Sequence, residues 1–335
     1  MQADPKAKRI LDVLGKLFND VANYIPADDR PDVTPLIEDL VKALQAPSVS
    51  DWKGHKFAPP FKAETVEWQY NNWQPSEKDV LVASFPKTGT TWMSQIVKHI
   101  IYKDNEETLK MAKVLTANNT YLESGTPLNY EVMEKLPWER KIWGTHNPAN
   151  LINMNRLMEN KCKIIYVMRN PKDQFVSWYN MCMTFPHRKA EAMAKLYPSD
   201  WNDFFQVYIN GKQPMSDKEG EWYPDHILSW YPYRDQENVL FVMYEDLKKN
   251  PATEIGKIAK FVGVNRSDTE IDEIVEATSF ESMKRDASNI HNLLSFFRKG
   301  QVGSWKNHFT VAQSELMDQK FREKISGTDI TFTYE

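Results

Sequence analysis

The sequence predicts an α/β fold: a single domain with a mainly parallel central sheet flanked by helices, a P-loop-like anion-binding loop, and an N-terminal helical extension. Three observations predict it. Short Val- and Ile-rich runs alternate with segments of helical periodicity, the pattern of βα units. One run, VLVASF, ends in a Pro/Gly turn that opens straight onto a helix. The chain has 335 residues, of which 41% are hydrophobic. That is enough for one large core, with roughly 75% of the unfolded surface buried at this size.

Residues 1–50 read as two amphipathic helices. Ile10, Leu14, Leu17, Phe18 and Val21 recur at helical spacing. Thr34 is the expected N-cap of the second helix, with Pro35 at its first position and one apolar face from Leu36 to Leu44. This divides the chain into an extension over 1–50 and a main domain over 51–335. VLVASF (80–85) reads as a buried strand. TWMSQIVKHIIY (91–102) reads as a helix with Met93, Ile96, Val97, Ile100 and Ile101 on its inner face. KIIYVMR (163–169) repeats the plan, with Asn170 as cap and Pro171 at the first helical position. KIWGTH (141–146) and VLFVMYEDL (239–247) are two further strand candidates, and 252–262 and 268–277 read as helices. The aromatic-rich stretch 184–235 reads as helix plus long loops, without sheet.

Charge and composition exclude several classes. The net charge of −4 is not that of a general nucleic-acid binder. Cys162 and Cys182 do not form a C-x-x-C, and the seven histidines contain no H-E-x-x-H, so no metal site or disulfide framework is suggested. The N-terminus lacks the apolar stretch of a signal peptide. No apolar run reaches the roughly 20 residues of a membrane span. A cytoplasmic protein is expected.

The chemistry concentrates in Phe85-Pro86-Lys87-Thr88-Gly89-Thr90-Thr91-Trp92. A strand feeds a tight turn, and the turn opens a helix whose first amides lack internal partners. Those amides and the helix dipole make an anion site. Lys87 adds a point charge, and Thr90 and Thr91 add hydroxyls. Locally, a plain turn with a Thr cap and a solvated Lys fits as well. The loop is not a Walker A sequence.

FPKTGTTW resembles the Y-P-K-[ST]-G-T-T-W signature of cytosolic sulfotransferases. Further segments resemble that family in the same order: Arg169-Asn170-Pro171-Lys172-Asp173 with Ser177, then Tyr244-Glu245-Asp246-Leu247. Next come Thr278-Ser279-Phe280 with Met283, Phe296-Phe297-Arg298-Lys299-Gly300, and Gly303-Ser304-Trp305-Lys306. The resemblance runs from about Asp51 onward and leaves residues 1–50 as an extension.

The resemblance implies a cosubstrate, 3′-phosphoadenosine 5′-phosphosulfate (PAPS), and transfer of its sulfuryl group to a hydroxyl or amine, without a metal. Lys87, Thr88, Gly89, Thr90 and Thr91 are then expected to hold the phosphosulfate. Arg169 and Ser177 would bind the 3′-phosphate, with Arg298, Lys299 and Gly300 closing over it. Trp92, Tyr244 and Phe280 would contact the adenine. Thr278, Ser279, Met283 and Phe297 complete the implied cofactor site. His146, in G-T-H-N-P, is implied as general base, and His146, Lys87 and Ser177 form the implied catalytic set. Lys306, Thr310, Val311 and Glu315 match the family's dimer segment, which implies a homodimer.

The chain departs from the family pattern at Gly144, where a Lys adds charge near the transferred sulfonate, and at Asn147, where an apolar residue is usual. The acceptor is expected to be small and largely apolar. Aromatics from Trp178 to Trp230 are mostly core by this reading. Phe57, Phe61 and the mobile-looking segment 210–221 are further pocket candidates. Two other readings stand beside sulfuryl transfer. One is a non-catalytic binder of PAPS, or of its product PAP, together with a small hydroxylated ligand. The other is a nucleotide kinase, which lacks its Walker motif here.

Overall fold

A computed structural model describes residues 25, 27–30, 32, 34–35, 38, 42, 48–114, 120–185, 190–289 and 300–335. Four strands form the central sheet: β3 (Val80–Ser84), β4 (Ile142–Thr145), β5 (Lys163–Met168) and β7 (Val239–Met243). Their order is β4-β3-β5-β7, and every neighbouring pair is parallel. β3 is buried along its whole length, as is β5 from Ile164 to Met168. Both faces are covered, so these strands read as continuous apolar runs without alternation. A small antiparallel sheet joins β1 (Ser50–Trp52), β2 (His55–Phe57) and β6 (Met215–Asp217).

The helices in chain order are α1 (Ala63–Asn72), α2 (Thr90–Tyr102), α3 (Glu106–Val114), α4 (Leu128–Lys135), α5 (Met154–Glu159) and α6 (Pro171–Cys182). There follow α7 (Glu191–Ala194), α8 (Trp201–Ile209), α9 (Tyr223–Trp230), α10 (Tyr244–Lys249) and α11 (Pro251–Phe261). The last three are α12 (Asp268–Ala277), α13 (Phe280–Asn289) and α14 (Val311–Ile325). Met93, Ile96, Val97 and Ile100 of α2 are fully buried against the sheet, while Ile101 is half-buried. The chain steps outward from β3 to β4, then back past β3 to β5. The topology therefore reverses beside β3, where open α/β sheets place their ligand crevice.

Several expectations need correction. The run 239–247 is not one strand: β7 ends at Met243 and Tyr244 begins α10. The stretch 184–235 does contain sheet, since β6 pairs with β2. The same pairing removes 210–221 as a loose segment. Phe57 belongs to a separate buried cluster with Ala63, Val66 and Leu151, so it is core. The Thr34 N–H donates to Asp32 Oδ1 at 2.9 Å and Thr34 is itself helical, so Asp32 caps that turn. Most of the two expected N-terminal helices lies outside the described residues. Ile25, however, is buried in the same cluster as the central sheet. Cys162 and Cys182 are buried and form no disulfide.

Candidate active site

The loop after β3 is tied down from outside. The Thr88 hydroxyl, fully buried, reaches the carbonyl oxygens of Phe85 (2.9 Å) and Val167 (3.0 Å). Gln174 Nε2 donates to Pro86 O at 2.7 Å, and Arg169 Nη1 donates to Lys87 O at 3.4 Å. With these carbonyls held outward, the first amides of α2 stay clear; the first helical bond, from Met93 N–H to Gly89 O, is 3.0 Å. Lys87 has φ +71° and Gly89 φ +117°. At Gly89 a Cβ would lie 2.8 Å from Tyr244 Cδ2, so the loop needs glycine for both conformation and space. Thr91 is exposed, whereas the Thr90 hydroxyl is buried on Ser84 Oγ. The expected hydroxyl donors are thus partly structural: Thr88 ties loop to strand, and Thr90 joins a side-chain network.

Arg169 follows β5. Tyr223 fixes its backbone twice, accepting from its N–H (2.9 Å) and donating to its carbonyl (2.8 Å). Its guanidinium lies 4.4 Å above the Tyr244 ring and donates to Gln301 O at 3.2 Å. Its Nε is buried and has no partner among the described residues. Asn170 caps α6 through Asp173 N–H (2.8 Å), and Glu245 accepts from both Asn170 nitrogens at 2.9 Å. Asp173 then clamps the C-terminal segment. One carboxylate oxygen takes the Gly303 N–H (2.7 Å); the other takes the Ser304 hydroxyl (3.0 Å) and the Trp305 N–H (2.9 Å).

The expected adenine residues meet on one side of this arrangement. Trp92 Nε1 donates to Thr278 O at 2.9 Å, and the Trp92 and Tyr244 rings meet edge to face at 5.3 Å. The Thr278 hydroxyl bonds back to Ile274 O, and Ser279 Oγ caps α13 through Ser282 N–H. Phe280 lies against Gly300, where a Cβ would come within 2.6 Å of its ring. Met283 and Ser177 are both half-buried, on α13 and α6. Phe297, Arg298 and Lys299 lie outside the described residues.

His146 ends β4. Its Nδ1 is 2.7 Å from Ser84 O, which requires a proton on Nδ1 and leaves Nε2 as the basic nitrogen. Burial, opposed by the Ser84 carbonyl and reinforced by the Lys87 charge, lowers its pKa from 6.5 to about 4. Beneath it lies Glu123, which accepts the His146 N–H (2.6 Å) and the Thr145 hydroxyl (2.9 Å). Burial raises the Glu123 pKa to about 7, against the pull of these bonds. His226 Nε2 lies 3.1 Å from His146 O, and its Nδ1 lies 2.8 Å from the Tyr166 hydroxyl.

Sequence reasoning missed Glu123, Tyr121 and the clamp made by Asp173. Glu123 carries no local signal. Tyr121 had one, because glycine within a strand marks close approach by another group. Its ring lies over Gly144, where a Cβ would meet Tyr121 Cε1 at 2.3 Å. Phe61 is also at the site, its ring 6.2 Å from that of His146. The Trp178, Tyr197, Phe204, Phe205, Trp222 and Trp230 side chains are core.

Comparison with known proteins gives the family. Residues 77–329 match the model of the sulfotransferase domain family. The chain is 33% identical to rat sulfotransferase 1C2 over 305 residues, covering 87% of this chain and 93% of that protein. It is 37% identical to mouse sulfotransferase 1A1 over 285 residues, 81% and 92% of the two chains. Mouse sulfotransferase SULT7A1, solved in complex with PAP, superposes with a TM-score of 0.66 at 28% identity, covering 84% of this chain and 96% of that one. A retinol dehydratase shares the fold at a TM-score of 0.67 and 22% identity, over 92% and 98% of the chains. With a sheet whose crevice holds the Lys87–Thr91 loop on the same face as a histidine, and with relatives covering most of its length, the chain belongs to the sulfotransferase family and is an enzyme of that class.

Proposed function

We propose that the protein transfers the sulfuryl group of PAPS to a hydroxyl or amine of a small, largely apolar acceptor, with His146 as general base. The observation that carries this reading is the tautomer of His146. Nδ1 is held on Ser84 O at the end of the strand that feeds the Lys87 loop, so Nε2 is the unprotonated nitrogen. The residues present fit the cosubstrate: Arg169 Nε is a buried donor without a partner among the described residues, and the loop amides of α2 are clear. The PAP in the mouse relative supports the same choice.

When bound, PAPS supplies an activated sulfur. The acceptor oxygen bonds to it while the bond to the bridging phosphate oxygen breaks, and that electron pair stays with the phosphate. His146 Nε2 takes the acceptor proton. Lys87 offsets charge building on the bridging oxygen. Arg169 and Ser177 hold the 3′-phosphate, with Arg298, Lys299 and Gly300 over it. Trp92, Tyr244, Thr278, Ser279, Phe280, Met283 and Phe297 hold the nucleoside. Phe61 offers the acceptor an apolar wall. The extension over 1–50 braces the main domain, in keeping with the burial of Ile25. The protein works in the cytoplasm as a homodimer formed through Lys306, Thr310, Val311 and Glu315.

Calorimetric titration tests the reading, with PAP against ATP plus Mg²⁺. Metal-independent PAP binding is expected, and sulfation of a phenol such as 2-naphthol. His146→Ala should keep PAP affinity and lose turnover by more than about a hundredfold. Binding of ATP with Mg²⁺ alone would overturn it. PAP binding without any sulfated product from a screen of phenols and alcohols would turn it into the binder reading.

A further inference from the structure

Tyr121 occupies space that the sequence leaves empty on the neighbouring strand. Gly144 has no side chain, and the Tyr121 ring lies where its Cβ would project, with Cδ1 at 2.4 Å from that point. The two residues are also bridged through the backbone: Tyr121 pairs with Gly144 in a parallel bridge, and Leu122 N–H donates to Gly144 O at 2.9 Å. Phe61 stacks at 6.5 Å and 15° on the Tyr121 ring, and the His146 ring meets it edge-on at 4.7 Å and 82°. The ring is therefore fixed from several sides.

Its hydroxyl ends at the anion-binding loop. Thr90, the first residue of α2, lies beside it. The Thr90 hydroxyl in turn bonds Ser84 Oγ, which lies 3.4 Å from His146 Nδ1. A line of hydroxyls thus runs from the phenol past the helix N-terminus to the base. Burial keeps the phenol protonated at any working pH. Thr90 acts on the phenol oxygen in the sense of a donor, which leaves the phenol proton available.

We propose that Tyr121 is a catalytic hydrogen-bond donor to the sulfuryl group in flight, filling with a neutral hydroxyl the place left by the missing side chain at Gly144. The inference rests on the reading of the protein as a PAPS-dependent enzyme. Tyr121 keeps its proton throughout: the acceptor proton goes to His146 Nε2, and the electron pair of the broken S–O bond goes to the phosphate. The phenol stabilises negative charge on the sulfuryl oxygens as they pass between donor and acceptor.

Tyr121→Phe removes only the hydroxyl. The test measures PAP and PAPS affinity by calorimetry without acceptor, and kcat with 2-naphthol. The expected result is PAP affinity within about twofold of the unaltered protein, PAPS affinity weakened several-fold, and kcat reduced about 10- to 100-fold. A second pair of variants removes dependence on one substitution. Tyr121→Ala/Gly144→Lys, with a lysine in the vacated space, should recover turnover relative to Tyr121→Ala alone. Unchanged kcat in Tyr121→Phe overturns the proposal. So does a fall in PAP affinity as large as the fall in kcat, which would make the hydroxyl a brace of the loop. If the unaltered protein does not bind PAP at all, the functional reading fails and takes this one with it.

Discussion

His146 is neutral because its surroundings refuse it a proton. Its ring packs edge-on against the stacked pair Tyr121 and Phe61, it spends its Nδ1 proton on Ser84 O, and Lys87 repels a second charge. In kcat/KM, which reports the free enzyme, the acid limb is expected near 4, so activity stays level as pH falls through 6.5. In kcat the limb should lie higher, because bound anionic donor favours the imidazolium. A kcat/KM limb at 6.5 would contradict the burial argument. Stability follows the same groups. Between about 4 and 6.5 the unfolded chain protonates His146, His99 and His226, which the folded chain keeps neutral, so stability falls as pH drops. Glu123 acts in the opposite sense. Its folded pKa is raised from 4.5 to about 7, so its contribution is present at low pH and is lost as pH rises through that window. Glu123→Gln should therefore steepen the loss of thermal stability between pH 6.5 and 4.5, measured by calorimetric melting. An unchanged slope would mean Glu123 is ionised when folded. His146 itself was legible, at the end of the run KIWGTH, but its pairing with Glu123 was not, because Glu123 is 23 residues away and flanks no patterned segment.

At the scale of elements, the βα units were legible. Their strands are buried on both faces, so they read as apolar runs ended by Pro, Gly or Asn. The short strands β1, β2 and β6 were not, because three residues are too few for periodicity and their partners are distant in sequence. The turn from β7 into α10 was also hidden. The apolar run passes into Tyr244 and Glu245 without a capping residue, and Glu245, in the first turn of α10, accepts from Asn170 in a distant segment. The clamp at Asp173 shows why two separated motifs belong together. A helix N-terminal carboxylate gathers two backbone amides and a hydroxyl from the segment at Gly303, whose φ is +80°. Asp173→Ala strands those donors. It should cost about 3 kcal/mol of stability. PAP affinity should fall by more than tenfold, because Gln301 and Gly300 lose their position. Calorimetry and chemical denaturation measure both. Full PAP affinity in a folded variant would separate the clamp from the nucleotide.

Among the described residues the main core is wrapped on a four-stranded parallel sheet, as the alternation of segments predicted, with a smaller cluster around Phe57 beside it. Its association state is a property of the surface, where sequence patterns say least. Val311 opens α14 and is 75% exposed, an apolar side chain in water, and Glu315 is exposed one turn further on. Lys306 is held by Glu335 at 2.7 Å, and Thr310 caps α14 through Gln313 N–H. Val311→Asp should convert a dimer to a monomer in sedimentation velocity while leaving kcat within about twofold. A wild-type protein that sediments as a monomer at micromolar concentration would refute the dimer.

The contact between Tyr121 and Gly144 also constrains how such an enzyme can change over generations. A side chain at 144 cannot appear while the ring is in place, since even a methyl group would overlap it. The ring can shrink first, and only then is a residue of any size tolerated on β4. The two positions therefore have a required order of substitution. A lineage that has placed an aromatic ring over a bare strand has closed the direct road to a lysine there, and can return only through an intermediate that has neither.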